Sequence, residues 1–229
     1  MKIAVVDIDD ILWNMADVWY AELIKVNPDC PYPGKTSAWN FHKGYLTDEC
    51  FQETIDTIHM AQDKYSCFEH ANRLTNMLHN AGFRVIIASH RTSKSKEITK
   101  RWLENNEIYF DELHTVADKH FLLKDASLFI DDSPASQKYA VKRKVSVISI
   151  RYPYNENMKG VLFFDTFSDM LTGVETWLKE FKYKQQTSIS ITKEEYDYLL
   201  ERNKKLIALE GSKVKNWENY ESIVHKLFE

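Results

Sequence analysis

Three carboxylates at the end of an apolar run are the first residues in this chain able to do chemistry. Asp7, Asp9 and Asp10 follow Ile3-Ala4-Val5-Val6 directly. Acids this close repel one another, and a bound cation relieves the repulsion. Alone, such a cluster also fits an acidic surface turn, since turns favour Asp. The pattern recurs, however: Leu128-Phe129-Ile130 runs into Asp131-Asp132. A third apolar run, Val85-Ile86-Ile87-Ala88, delivers Ser89-His90-Arg91, and Lys119 and Lys124 precede the second acid pair. Carboxylate and water oxygens suit Mg²⁺, which commonly takes one or two carboxylates together with a substrate phosphate. A carboxylate beside that ion can attack phosphorus, and a second can move the protons. A hydroxyl and a lysine can share the phosphoryl charge.

These groups act together only if the chain brings them to one edge. Residues 2–8 read as a strand buried on both faces, with a bend required near Ile8–Asp9 because Asp7 and Asp9 would otherwise face opposite sides. Helical spacing covers 12–27, then 47–62 and 69–80, with Ala81-Gly82 closing the last. Strands are expected at 84–88, 110–116, 127–130 and 145–150, and helices at 95–105, 135–143 and 167–181. This alternation predicts an α/β fold, a Rossmann-like parallel sheet flanked by helices. In such sheets ligands bind beyond the carboxyl ends of the strands. A polar cluster between a strand and a helix start, as at Ser89-His90-Arg91, suits an anion. Residues 28–46 hold Pro28, Pro31, Pro33 and Gly34, then Trp39, Phe41 and Tyr45. They read equally as a small core beneath a loop or as a stacking wall for a flat ligand. Residues 182–191 carry no strong core pattern and read as a linker or an edge segment. A capping box at Thr192 and Glu195 opens a helix that Gly211 is placed to stop, and Trp217 to Leu227 suggest a final short helix.

The bulk composition excludes several classes. The 229 residues are 44% hydrophobic and 28% charged, with a net charge of −4. That balance gives no basic footprint for nucleic acid. Cys30, Cys50 and Cys67 form no CxxC pair and suggest reduced thiols. No apolar run reaches membrane length, and the first residues do not follow the signal-peptide pattern, so the expectation is a cytoplasmic protein.

The four clusters in order resemble the haloacid dehalogenase-like phosphatase superfamily. Asp7-Ile8-Asp9-Asp10-Ile11-Leu12 is similar to its Asp-x-Asp motif, Ser89 to its second, a lysine to its third and Asp131-Asp132 to its fourth. The likeness covers about residues 1–180. It implies a catalytic core of residues 1–13 and 81–181, a helical cap of residues 14–80, and a linker with a helical appendage at 182–229. It implies Mg²⁺ held by Asp7, the Asp9 carbonyl and Asp132, with Asp131 in support or in exchange. Asp7 is implied as nucleophile, Asp9 as acid/base and Ser89 as a phosphoryl contact. Lys119 is preferred as the lysine, because Asp118-Lys119 resembles the 5'(3')-deoxyribonucleotidase branch, with Lys124 as the alternative. Asp10 departs from the family, which usually has Gly there. Ser37-Ala38-Trp39-Asn40-Phe41 resembles the cap of that branch, where aromatics enclose a nucleobase. Trp39 and Phe41, with Trp13 or Tyr45, are then implied around a base, and His90 and Arg91 near the phosphate.

The resulting expectation is a Mg²⁺-dependent 5'-nucleotidase acting on a small nucleotide or another phosphate monoester, with no membrane partner. Alternatives are a phosphatase for sugar phosphates or a nucleic-acid 3'-phosphate, and a catalytically silent binding protein of the same fold. Asn216-Trp217-Glu218-Asn219-Tyr220 resembles C-terminal segments of phage-encoded proteins. The appendage otherwise reads as a helical hairpin that covers a surface or joins two copies as a homodimer.

Overall fold

A computed structural model of the protein describes residues 2–187 and 192–211. It falls into two units, Met1–Phe181 and Lys182–Glu229. In the first, β1 (Lys2–Val6), β2 (Phe83–Ser89), β3 (Glu112–Thr115), β4 (Leu128–Ile130), β5 (Ser146–Ile150) and β6 (Val161–Phe164) form one sheet. Every neighbouring pair is parallel, in the order β3-β2-β1-β4-β5-β6. β1 sits in the middle, where its apolar Ala4-Val5-Val6 is shielded from water on both faces. Ala4, Val5 and Val6 are fully buried. Ala4 and Val6 face a large core with Leu74, Leu78, Trp102, Leu103 and Met170. Val5 faces a smaller one with Ile86, Phe129, Ala140 and Val147.

The chain moves from β1 to β2 and β3 on one side, then returns through β4 to β5 and β6 on the other. The reversal lies between β1 and β4, the place where open α/β sheets leave a crevice. Register sets the chemistry there. Val6 pairs with Ile130, so Asp7 and Asp131 are the next residues on adjoining strands. Val6 also pairs with Ile87, two residues before Ser89.

Between β1 and β2 lie α1 (Met15–Val26), α2 (Asp48–Met60) and α3 (Ala71–Asn80), with short 3-10 turns at Pro33–Lys35, Phe41–Gly44 and Gln62–Lys64. Local chemistry sets their ends. Asn14 accepts from the Asp17 N–H, and Thr47 from the Cys50 N–H. Gly82 closes α3 at φ +80, where a side chain would be strained. The remaining helices that begin in this unit are α4 (Lys96–Asn105), α5 (Pro134–Lys142) and α6 (Phe167–Thr187), the last running past its boundary.

Two expectations need correction. β6 was not anticipated, because Val161-Leu162-Phe163-Phe164 is a short edge segment whose residues are only partly buried. Residues 182–187, expected without regular structure, are helical and continue α6. Helix hydrogen bonds propagate through polar residues without needing a core stripe. In the second unit, α7 (Lys193–Gly211) opens on the expected capping box. The Thr192 N–H donates to Glu195 Oε2 at 2.7 Å, and the Glu195 N–H to Thr192 Oγ1 at 3.1 Å. Gly211 is the last residue described in this helix. The expected helix over 217–227 and the Asn216–Tyr220 stretch lie outside the described residues.

Candidate active site

The strand ends deliver a cluster of buried carboxylates around one lysine. Asp7, Asp131 and Asp132 each place an oxygen within 4.8 Å of the others. All three are 6% exposed or less. Lys119 Nζ stands 3.0 Å from Asp7 Oδ2 and donates to Asp131 Oδ2 at 2.5 Å and to the Ala88 carbonyl at 3.3 Å. Asp131 also accepts from the Ser133 N–H on its other oxygen, so both its oxygens are committed within the protein. Asp7 differs: its Oδ1 is buried and has no hydrogen-bond partner. Burial pushes the Asp7 carboxyl up to about 7, against the pull of Lys119. Burial, then the charges of Asp10, Asp131 and Asp7, push Asp132 well above the usual carboxylate range. A cavity edge with a partnerless carboxylate oxygen and a second carboxylate disfavouring charge suits a small divalent cation. Asp7 and Asp132 have the hard oxygen chemistry of Mg²⁺ ligands, and Asp131 anchors Lys119.

The bend between Asp7 and Asp9 is sharp. The Ile8 carbonyl accepts from the N–H groups of both Ile11 and Leu12. Asp10 takes a left-handed φ of 54, the conformation Gly usually supplies, and Asp is among the few residues that accept it. Its side chain accepts from the Ala16 N–H at 2.9 Å, which holds the start of α1.

Asp9 faces a different environment. Its Oδ1 accepts from Trp13 Nε1 at 2.9 Å and from an Arg91 terminal nitrogen at 2.5 Å. Its Oδ2 accepts from Ser89 Oγ at 3.0 Å and Arg91 Nε at 3.3 Å, and lies 3.2 Å from His59 Nε2. Burial works to raise this carboxyl, but Arg91 and His59 outweigh it and hold it well below the usual carboxylate range. Arg91 also reaches Ser89, Thr99 and, from the 3-10 turn of the insertion, Gln62. Asp9 therefore joins the helical insertion to the ends of the sheet.

A cavity of about 260 Å³ opens over these acids. Its floor includes Asp7, Asp9, Asp10, Lys119 and Asp132, and its walls carry Trp19, Trp39, Phe41, Phe51, His90 and Tyr154. The insertion supplies most of the wall. Trp19 is fixed by a hydrogen bond to Thr54 and by edge contacts with Phe41 and Phe51. The aromatic stretch is thus both a small core and a wall, with Trp39, 46% exposed, its most open ring.

Several expected site residues lie elsewhere. Arg91 is turned away from the cavity, with its side chain fully buried against Asp9. A substrate contact was expected, but the guanidinium finds the partly buried Asp9 carboxylate at the end of the adjoining strand. Ser89 is also fully buried, and its hydroxyl donates to Asp9. Lys124 is exposed and outside the cavity lining, whereas Lys119 lies among the acids. Trp13 packs beneath the site between Tyr65 and Trp102. Tyr45 does not line the cavity either.

The sequence reading missed the loop after β5. The Tyr152 hydroxyl donates to the Asp10 carbonyl at 3.1 Å, and the Tyr154 hydroxyl to Asp132 Oδ2 at 2.6 Å. Asn155, fully buried, donates to the Asp132 carbonyl at 3.0 Å. Burial, then nearby Asp132 for Tyr154 and nearby Asp10 for Tyr152, raise both phenols, which stay protonated donors. The available signal was position: Tyr152-Pro153-Tyr154-Asn155 also follows an apolar strand.

No protein-family profile and no curated protein matches the sequence. Solved structures do. One named as a β-phosphoglucomutase from Thermotoga maritima aligns at TM-score 0.52 and 11% identity, over 77% of this chain and 99% of its own. One named as a phosphoglycolate phosphatase from Haemophilus somnus 129PT aligns at 0.51 and 16%, over 76% and 98%. A haloacid dehalogenase-like family hydrolase from Streptococcus pneumoniae aligns at 0.52 and 12%, over 76% and 98%. At these identities the likeness establishes the fold: a haloacid dehalogenase-like, Rossmann-type α/β architecture.

Proposed function

We propose that this protein is a Mg²⁺-dependent phosphomonoester hydrolase that works through an aspartyl-phosphate on Asp7. One observation carries the reading: Asp7, Asp131 and Asp132 converge within 4.8 Å at the sheet's switch point, beside a buried Lys119. The similar structures named as a phosphatase and as a hydrolase of this fold support it. Asp7 and Asp132 would hold Mg²⁺, assisted by the Asp9 carbonyl; when bound, the ion neutralises phosphoryl charge. Lys119 holds Asp7 Oδ2 and leaves the partnerless Oδ1 for the ion. The Oδ2 oxygen bonds to phosphorus as the ester P–O bond breaks, and the leaving oxygen takes a proton from Asp9. Water then attacks the phosphorus of the aspartyl-phosphate and gives a proton to Asp9. The P–O bond to Asp7 breaks, and inorganic phosphate leaves. In the observed geometry Asp9 is an acceptor, ready for the second half. Acting as an acid requires it first to turn from Arg91 toward the cavity and take up a proton from solvent there, since beside Arg91 and His59 it is held ionised. The same turn frees the Ser89 hydroxyl for the phosphoryl group, while His90 stands at the cavity wall.

For the organic group, the aromatic wall supports a nucleoside monophosphate with the base against Trp39 and Phe41. A smaller non-nucleotide ester is the second reading, favoured by size: the cavity, about 260 Å³, falls below the usual ~300–1,000 Å³ of ligand pockets. Phosphate release from a panel of monophosphates with Mg²⁺ tests both. Base-dependent turnover supports the nucleotidase, and preference for sugar phosphates supports the smaller ester. No release from any monophosphate removes the hydrolase reading. Trp39→Ala should raise KM for nucleotides about tenfold more than for a small aryl phosphate, since base stacking is worth ~1–3 kcal/mol. Equal effects would remove the stacking role.

A further inference from the structure

The loop after β5 touches both acid-bearing loops and the wall of the cavity. Its fold is fixed from below. Asn155 accepts from the Tyr152 N–H at 2.8 Å and donates to the Ile150 and Asp132 carbonyls. That scaffold leaves two phenols pointing at the site. Tyr152 and Tyr154 stack with centroids 5.2 Å apart and planes 11° from parallel. Tyr152 ends on the Asp10 carbonyl, and Tyr154 on Asp132 Oδ2. Asp132 Oδ1 has no hydrogen bond from the described residues. The Tyr154 ring also meets Trp39 edge-on, with centroids 5.1 Å apart.

We propose that Tyr154 is a positioning residue that fixes Asp132 for a divalent cation and, through Trp39, ties the cation site to the wall that holds the organic group. This rests on the metal-dependent reading above. The hydroxyl occupies Asp132 Oδ2 and so leaves the other oxygen, in one orientation, for the cation. A carboxylate left to rotate would lose part of that binding. Outer partners of metal ligands typically change metal affinity 10–100-fold. The ring contributes separately, because Trp39 leans on it. A ligand that orders Trp39 therefore steadies Tyr154 and Asp132, and by reciprocity a bound cation favours that ligand.

Calorimetric titration of Mg²⁺ into metal-free full-length protein tests this, with Mn²⁺ followed by electron paramagnetic resonance as a second reading. Tyr154→Phe keeps the ring and removes only the hydroxyl, so its unfolding midpoint should stay close to the parent's. Its Mg²⁺ affinity should fall at least tenfold. Tyr154→Leu, which removes the ring's edge contact as well, should show that loss plus a rise in nucleoside-monophosphate KM at saturating Mg²⁺ larger than in Tyr154→Phe. Equal Mg²⁺ affinity in parent and Tyr154→Phe would overturn the positioning role while leaving the hydrolase reading intact. Equal KM in the two variants would overturn the link to Trp39. A parent protein that takes up neither ion would overturn the metal reading itself, and this proposal with it.

Discussion

Lys119→Met isolates the electrostatic core of the site. The variant keeps most of the aliphatic stem and removes an ammonium that lies 3.0 Å from Asp7 and 2.5 Å from Asp131. Breaking one buried ion pair commonly costs ~3–5 kcal/mol, because the surviving charge is left without a partner. Here two carboxylates lose the same partner, yet the full sum will not appear. Asp7 is already raised to about 7 with the lysine in place, so without it the carboxyl will take a proton rather than stay charged. Neutralisation caps the loss at roughly 3 kcal/mol near pH 7.5. The sign with pH follows. Carboxyls raised in the folded state bind protons that the unfolded chain does not, so the variant gains relative stability as pH falls toward the unfolded value. Urea unfolding of metal-free protein should therefore show a large gap between parent and variant at pH 7.5 and a smaller one at pH 5.5. Phosphate release should drop by about 10²–10³, the usual effect of losing a charge-stabilising donor. A pH-independent gap would mean that Lys119 acts by packing, and no gap at pH 7.5 would refute the electrostatic account.

The other expectations are simpler. Asp7→Asn should abolish phosphate release while leaving the urea midpoint unchanged or higher, since it removes a buried carboxyl that disfavours charge; retained turnover would mean another residue is the nucleophile. The metal-free protein should lose thermal stability as pH rises from about 5 to 8, because Asp7 and Asp10, both raised to about 7, and Asp132, also raised, give up protons they hold only when folded. Asp9 works in the opposite sense, but below about pH 4. Saturating Mg²⁺ should flatten the decline, and scanning calorimetry across that range with and without the ion reads it.

The parts legible in the sequence were those whose chemistry follows a buried strand without interruption. β1, β2 and β4 are apolar runs that end on Asp7, Ser89 and Asp131, so pattern and function share one stretch of chain. The bend after Asp7 was legible for the same reason, and the structure makes it with Asp10 at a left-handed φ that only a few residue types enter. What escaped depends on contacts far apart in sequence. Arg91 lies two residues from Ser89 and looked like a phosphate ligand; its partner is Asp9, 82 positions away. His59 sits on an amphipathic helix and looked like nothing in particular until α2 placed it against the same carboxylate. Tyr154 and Asn155 follow β5 and escaped the sequence altogether, because hydrogen bonds to Asp132 across 22 and 23 positions have no periodic signature.

The two carboxylates of the first motif illustrate why those distant contacts decide function. Asp7 and Asp9 are two residues apart on one loop, and composition alone treats them alike. Their surroundings push them in opposite directions: burial raises Asp7, while Arg91 and His59 hold Asp9 low. Titratable pairs separated in this way tend to divide acid, base and nucleophile roles between them. In the metal-free site Asp7 is near half-protonated at neutral pH, a poor nucleophile, with one oxygen lacking any partner. A divalent charge at that oxygen would favour the ionised form and make Asp7 reactive only when the site is loaded. Asp9 needs no such help, since its charge is guaranteed by the guanidinium of Arg91. On the proposed mechanism the order of events would then be set by residues outside the motif, and substitutions at His59 or Arg91 should alter proton handling while leaving the acids themselves in place.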